Sequence, residues 1–287
     1  MNHNKAVFLT CFVALLWSLA GLNIKLIDWP TYAIAGGRSL VAVLVMTPFL
    51  WSRRASYPKC SALLKDRNFL CAALCFACFN YCFIASTKLT TSAIAIMMQY
   101  TAPVYVALFS YWFLHERITK LDIYVVGVVL LGMFMFFSDS SGHGTLVGNI
   151  VAVFNGVTFA GICIFLRLQH HGSPDLSMYC GNILASIIGI PFMVSAGRPD
   201  FRSFIFLLVA GILIAVTYEL YALASKELSA LETVILPIID PVMNPVWVYL
   251  FLGEYPGTLS ILACVMILAS VTFSIIHKLH SDLPDSC

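Results

Sequence analysis

Apolar residues run along this chain in blocks of about twenty, and polar residues gather in the short gaps between them. Ten blocks can be marked. They begin near Ala6, Thr31, Asn68, Ser92, Lys120, Leu146, Asp175, Ser203, Leu231 and Gly257. They end near Ile27, Trp51, Ser86, Leu114, Ser138, Leu166, Ser195, Ala224, Leu252 and Ile276. A helix rises about 1.5 Å per residue, so about twenty apolar residues cross a hydrocarbon core of about 30 Å. The pattern predicts an all-α membrane protein with ten transmembrane helices. Most connections have 4 to 9 residues, only Ser52–Arg67 is longer, and no soluble domain fits between the spans.

Composition agrees with that reading. Of 287 residues, 60% are hydrophobic and 10% charged, and mean hydropathy is +0.91. A soluble domain of this size carries far more charge. The net charge of +2 sits in scattered loop residues, with no basic stripe to meet nucleic acid. The first span has a counterpart later in the chain and is not read as a cleaved signal peptide. The terminal PDSC is not a prenylation box, because Cys287 is the last residue.

Loop charge predicts orientation. On the N-terminal side stand eleven basic residues: Lys5, Arg53, Arg54, Lys59, Lys65, Arg67, Arg117, Lys120, Arg167, Lys226 and Lys278. The other side has three, Lys88, Arg198 and Arg202. Positive charge stays in the cytoplasm, which places both termini there and the chain in the cell membrane.

A shift of 138 residues lays the chain on itself without a gap. FIASTKLTTSAIAIMMQYTAPVYVALFSYWFLHE, from Phe83, falls on YALASKELSALETVILPIIDPVMNPVWVYLFLGE, from Tyr221. Lys88 meets Lys226, Pro103 meets Pro241, Tyr111 meets Tyr249, and Glu116 meets Glu254. More loosely, Ser18 and Gly21 fall near Thr158 and Gly161, and Pro48 near Pro191. The chain is therefore read as two five-helix units, residues 6–138 and 146–276. Five is odd, so the second unit enters the membrane inverted. Inverted repeats are the architecture of many secondary transporters, which open a shared cavity to each side in turn.

The residues LLWS with Trp17 and Ser18, Arg38, STKLTTSA, QYTAPVYVALFSYWFLHER and DPVMNPVWVYLFLGE also carry a family resemblance. The chain resembles the drug/metabolite transporter superfamily in its ten-helix form with two EamA-type repeats. The resemblance covers nearly the whole chain and rests on a Pro-Val…Leu-x-Glu pattern that occurs twice. It implies transport of a small metabolite, often export of amino acids or related compounds. Other members carry nucleotide-sugars, so the substrate stays open.

Polar residues at membrane depth point to the site, because each charged group there costs about 2.5–3.5 kcal/mol on insertion scales. Asp240 lies in the middle of the ninth span, on one face with Thr233, Pro237, Asn244 and Trp247. Pro237, Pro241 and Pro245 recur every four residues, and each frees the carbonyl four residues before it. Freed carbonyls are expected on Thr233, Pro237 and Pro241, forming a polar strip on a central cavity. In the fourth span Gln99 and Ala102 replace Pro237 and Asp240. One wall is anionic and the other a neutral amide, which suits a ligand with a cationic group. Asp240 is read as a ligand for that group or as a proton carrier. The alternative is a structural ion pair with Arg38.

Arg38 lies seven residues into the second span, about 10 Å along the helix. It either holds a substrate carboxylate or serves as a packing or charge partner. Lys25 and Glu219 are close to span ends and are read as snorkelling or rim-paired, with Glu219 a candidate for a cytoplasmic vestibule. Trp17, Tyr81, Tyr100, Tyr105 and Trp247 are candidate cavity walls or cation–π partners, against aromatic packing. Glu116 and Glu254 are expected to favour the N-termini of the helices that follow them. Trp29, Trp51 and Trp112 are expected as interfacial anchors. Cys71, Cys75, Cys78 and Cys82 form one face of the third span and are read as small packing residues, since no His or acid joins them. All seven histidines lie outside the spans, with His170 and His171 in one loop, so a proton relay would use Asp240 or Glu219.

The expectation is a secondary transporter that exports a small polar metabolite, an amino acid or related amine, by alternating access. Its partners are that substrate, the bilayer and a coupling proton carried by the same carboxylates; no cofactor or metal is expected, and oligomeric state stays open. The alternatives are a membrane-embedded enzyme and a non-transporting intramembrane binding protein. The sequence holds no Gly-x-Ser-x-Gly, P-loop or metal-ligand spacing that an enzyme would use.

Overall fold

The computed structural model describes residues 2–58, 60–113, 120–138, 145–169, 174–224, 227–228, 232 and 236–281. Glu116, Arg117, His170, His171, Lys226 and Thr233 lie outside the described residues, as do 139–144 and the side chain of Trp112. The helices are α1 His3–Ser18, α2 Ala20–Leu26, α3 Thr31–Ser52, α4 Cys60–Leu63, α5 Arg67–Leu89 and α6 Ser92–Tyr100. They continue with α7 Ala102–Phe113, α8 Lys120–Ser138, α9 Leu146–Arg167, α10 Pro174–Ala196, α11 Phe201–Ala224, α12 Ile239–Leu252 and α13 Thr258–Ser281. Eight helical segments among the described residues are long and apolar enough to cross a membrane. Two shorter ones, Ile123–Ser138 and Leu236–Leu252, stand where the fifth and ninth spans are expected.

Three expected spans are broken, each for a local reason. The first divides at Leu19, beside Ser18, whose Oγ donates to the Leu15 carbonyl. The fourth divides at Thr101, just before Ala102-Pro103. Pro103 has no N–H for the Gln99 carbonyl four residues before it, so the helical ladder is interrupted here. The Thr101 amide and hydroxyl both donate to the Met98 carbonyl, so the break leaves that group satisfied. The ninth opens as a 3-10 turn at Leu236–Ile238 and becomes α-helical at Ile239. Thr101 and Ile239 correspond under the 138-residue shift, so both repeats break at the same place.

The packing obeys the repeat. The neighbours α5–α9 correspond to α11–α1, α5–α10 to α11–α3, and α6/α7–α9 to α12–α1. The pairs α3–α10 and α8–α13 map onto themselves. Exchanging the two five-helix halves thus returns these principal contacts, as a two-fold pseudo-axis requires. With an odd number of spans per half, that axis lies in the membrane plane and the halves run opposite ways.

Small residues set the closest approaches. A Cβ built on Gly36 would lie 2.6 Å from the Gly189 Cα, so α3 and α10 touch backbone to backbone. Cys75 Sγ lies 2.8 Å from where a Gly161 Cβ would stand, which places one member of the cysteine face in the α5–α9 contact. Cys78 is exposed. The interior holds Phe76, Phe79, Phe83, Ile94, Met97 and Ile267. The outside carries large apolar groups such as Phe8, Leu44, Phe134, Val194 and Phe251, a surface made for lipid.

Trp51 is 67% exposed beneath the Arg54 guanidinium, 4.6 Å from the ring centroid, as an interfacial anchor is. Trp29 is not. It is half-buried against the core, with its ring 3.2 Å from where a Gly37 Cβ would stand. The glycine leaves a slot that the indole fills.

A Gly36→Val variant should force α3 from α10 at that backbone contact. Overpacking of this kind costs about 1–3 kcal/mol. The expected result is a thermal midpoint several degrees lower in purified protein, with wild-type oligomer profile on size exclusion.

Candidate functional site

The breaks in the fourth and ninth spans put Tyr100 beside Asp240. The Tyr100 hydroxyl stands 3.3 Å from Asp240 Oδ2 and 3.2 Å from the Pro237 carbonyl. That carbonyl is the one freed by Pro241, which has no N–H to offer it. The expected polar strip therefore exists at Pro237, and its partner comes from the other repeat. Asp240 is 5% exposed, and its Oδ1 has no hydrogen-bond partner among the described residues.

Around this carboxylate stands an aromatic wall. The Trp17 ring lies 5.8 Å from Tyr218 and 5.2 Å from Tyr221, and its Nε1 donates to Thr217 Oγ1 at 2.7 Å. Tyr218 and Tyr221 are within electrostatic reach of Tyr100, and Tyr218 is within reach of both Asp240 and Arg38. Trp17, Tyr100, Tyr218 and Tyr221 all retain partial accessibility deep in the bundle. Tyr218 and Tyr221 were missed by the sequence reading. The signal was the run Thr217-Tyr218-Glu219-Leu220-Tyr221, polar and aromatic inside an otherwise apolar helix.

Arg38 does not pair with Asp240. It is 3% exposed, and its Nη2 donates to Asn80 Oδ1. Its guanidinium carbon lies 5.9 Å from the Phe83 ring centroid. Asn80 Nδ2 reaches the Phe76 carbonyl at 3.4 Å and Asn182 Oδ1 at 3.5 Å. Asn80 and Asn182 were also missed; each is a lone amide in an apolar span.

Several other candidates are placed elsewhere. Tyr81 donates to the Ala185 carbonyl at 2.8 Å and packs on Tyr32, so it serves the α5–α10 contact. Trp247 Nε1 donates to Ser18 Oγ at 2.9 Å, tying α12 to α1. Gln99 is half-buried, and the structure gives it no described contact with Asp240. Asn244 is fully buried and accepts from the Ser92 hydroxyl. A Cβ on Gly21 would lie 2.1 Å from Ser92 Oγ and 2.6 Å from Asn244 Oδ1, so three helices meet at this point. Asn244 shares a helix face with Asp240, and its Nδ2 has no hydrogen-bond partner among the described residues.

Glu254 corrects another expectation. It was assigned to the N-terminus of the helix that follows it. Instead its Oε1 accepts from the Ser92 amide at 2.7 Å, at the N-terminus of α6 in the other repeat. Gly253, at φ 66°, ends α12 in the left-handed conformation and turns the chain there. Glu254 Oε2 pairs with Lys25, whose Nζ also donates to the Thr90 carbonyl at 3.1 Å. The two side chains are 15% and 13% exposed. Lys88 donates to the Ile27 carbonyl alongside. This end of the bundle is sealed by charge, helix N-terminus and backbone together.

The opposite end is closed more lightly. Glu219 Oε2 lies 2.9 Å from Arg53 Nη1, and Arg53 is largely exposed. The Glu219 charge holds the Arg53 guanidinium above its usual value. Tyr57 donates to Asp175, and burial together with that bond pushes its hydroxyl up to about 12.

The EamA-like transporter model matches twice, over residues 4–138 and 146–276. The chain belongs to the EamA-like transporter family. It is a multi-pass membrane protein of a transporter family, and the resemblance to drug/metabolite transporters holds. Among curated relatives, the pseudopaline exporter CntI of Pseudomonas aeruginosa strain UCBPP-PA14 is 28% identical over 203 residues, 69% of each chain. The uncharacterized transporter YetK of Bacillus subtilis strain 168 is 23% identical over 183 residues, 61% of this chain and 54% of YetK. A protein crystal structure at 16% identity aligns over 99% of both chains with a TM-score of 0.64, which supports the same fold.

The Lys25–Glu254 contact combines an ion pair with a helix cap, and mutation separates the two. Glu254→Gln keeps an acceptor for the Ser92 amide and should lower the thermal midpoint modestly. Exchange of the charges, Lys25→Glu with Glu254→Lys, restores opposite signs but leaves that amide without its acceptor. It should be less stable than Glu254→Gln in differential scanning fluorimetry. Full recovery by the exchange would reduce Glu254 to an ion-pair partner alone.

Proposed function

We propose that this EamA-like transporter exports a small polar metabolite carrying a cationic amine, by alternating access around Asp240. One observation carries the reading: a carboxylate buried between the two repeats, with one oxygen unpartnered and aromatic rings around it. An unpaired carboxylate at membrane depth is held at considerable cost, so function rather than stability accounts for it. Trp17, Tyr100, Tyr218 and Tyr221 offer π-faces to an ammonium group, whose charge the carboxylate meets. The same carboxylate can take up a proton when the amine leaves, which would make proton and substrate exchange on one group.

In this scheme the Lys25–Glu254–Ser92 contact is the outer gate, and Glu219–Arg53 marks the cytoplasmic mouth. Loop charge supports that orientation, with both termini in the cytoplasm of a cell-membrane protein. Export is supported by the activity named for the CntI relative.

Asp240→Asn conserves size and removes charge. Expression and thermal midpoint should be near wild type. Efflux of amines and amino acids from proteoliposomes should fall at least tenfold, equivalent to about 1.4 kcal/mol. Unchanged efflux at limiting substrate across a pH series would sink the proposal. Chemical conversion of the substrate during the assay would favour an enzyme instead.

A further inference from the structure

Arg38 presents the opposite problem to Asp240. Its guanidinium is buried at membrane depth, and its neighbours are neutral: the Asn80 amide, the Phe83 ring and the nearby Tyr218. Its Nε has no hydrogen-bond partner. Among the described residues no carboxylate pairs with it. An Arg that served only to join helices would be expected to sit against an acid, because a buried charge without a counter-charge is strongly unfavourable. Asp240 could have been that acid, yet the structure keeps the two apart, with Tyr218 within reach of each.

Asn80 explains how Arg38 is held. Its Oδ1 takes one guanidinium nitrogen, and its Nδ2 is anchored to the Phe76 carbonyl and Asn182. The amide orients the guanidinium without neutralising it. A planar guanidinium offers parallel N–H groups that match a carboxylate.

We propose that Arg38, positioned by Asn80, is an anion subsite for the carboxylate of the transported substrate. The substrate is then a zwitterion, with its carboxylate at Arg38 and its ammonium at Asp240, both within electrostatic reach of Tyr218. This rests on the export reading above and adds its second pole.

The test uses purified full-length protein in proteoliposomes. The probes are the common L-amino acids, each beside its α-amide and its decarboxylated amine, with chloride and phosphate as inorganic arms. Wild type should move at least one amino acid tenfold faster than its amide at limiting concentration. Arg38→Gln should abolish that discrimination. Asn80→Asp should abolish it too, because a carboxylate at position 80 would occupy the guanidinium, while the thermal midpoint stays at or above wild type. Asp240→Asn should slow acid and amide alike, and so reports on the other pole.

Retention of the tenfold preference in either Arg38→Gln or Asn80→Asp would overturn the subsite. So would competition by chloride or phosphate as strong as by the amino acid, since the site would then be a general anion site. Transport of amines and amides alone would overturn the zwitterion and leave the Asp240 reading standing. A panel in which nothing moves would overturn both.

Discussion

One hydroxyl holds the centre of this bundle together. In lipid every backbone polar group must find a partner inside the protein, and Pro241 deprives the Pro237 carbonyl of its own. Tyr100 supplies that partner from the other repeat and touches Asp240 with the same oxygen. It can do so only because the fourth span breaks at Thr101, immediately after it. The ninth span breaks at the equivalent place. The interruption in the fourth span is satisfied by Thr101 itself, and the carbonyl freed in the ninth is satisfied by Tyr100 across the pseudo-axis. The rings of Trp17, Tyr218 and Tyr221 gather around the polar point that results, and the closer helix contacts lie away from it.

The spans, the repeat and the freed carbonyl beside Asp240 were legible because they are periodic or local. Apolar runs set the helices, a gap-free shift set the two halves, and three prolines at four-residue spacing announced a freed carbonyl. What was not legible depends on contacts distant in sequence. Glu254 lies 162 residues from Ser92, and nothing in a linear pattern tells a carboxylate which helix N-terminus it will reach. Nearness along the chain favoured the next helix, and the left-handed turn at Gly253 leads elsewhere. The partners of Asn244 and Tyr81 were hidden for a related reason. Periodicity assigns a residue to a helix face, but not to the element that the face meets. Tyr218 and Tyr221 were overlooked because aromatic residues are common in membrane helices, and only a third dimension separates a wall from packing.

The halves share a backbone plan and differ in chemistry. Ala102 stands where the second repeat has Asp240, and Tyr81 where it has Glu219. Arg38 belongs to the first repeat and Asp240 to the second. Opposite charges are therefore contributed by opposite halves and kept from direct pairing. A ligand that touches both would bridge the two bodies that must move against each other. That is a different arrangement from a site carried wholly on one half, where binding would not bias the relative position of the repeats.

The two ends of the bundle add to this asymmetry. Lys25 and Glu254 are mostly buried, and opening them would uncover the amide of Ser92 and the Thr90 carbonyl as well. Arg53 meets Glu219 from an exposed position, while the Glu219 carboxylate is itself buried. Both ends are thus closed by an ion pair with a buried carboxylate, and the Lys25 end adds a helix N-terminus and a backbone carbonyl to its pair. Free energy for opening the Lys25 gate has to come from a ligand that binds the open-gate state better. A ligand that joins Arg38 to Asp240 draws the halves together at the midplane, where α1, α3, α11 and α12 meet. Of these, α12 leads into Glu254 and α1 into α2, which carries Lys25. On the zwitterion proposal, the charge separation at the centre and the lock at the end would then work together, binding at the midplane offsetting what opening the rim costs.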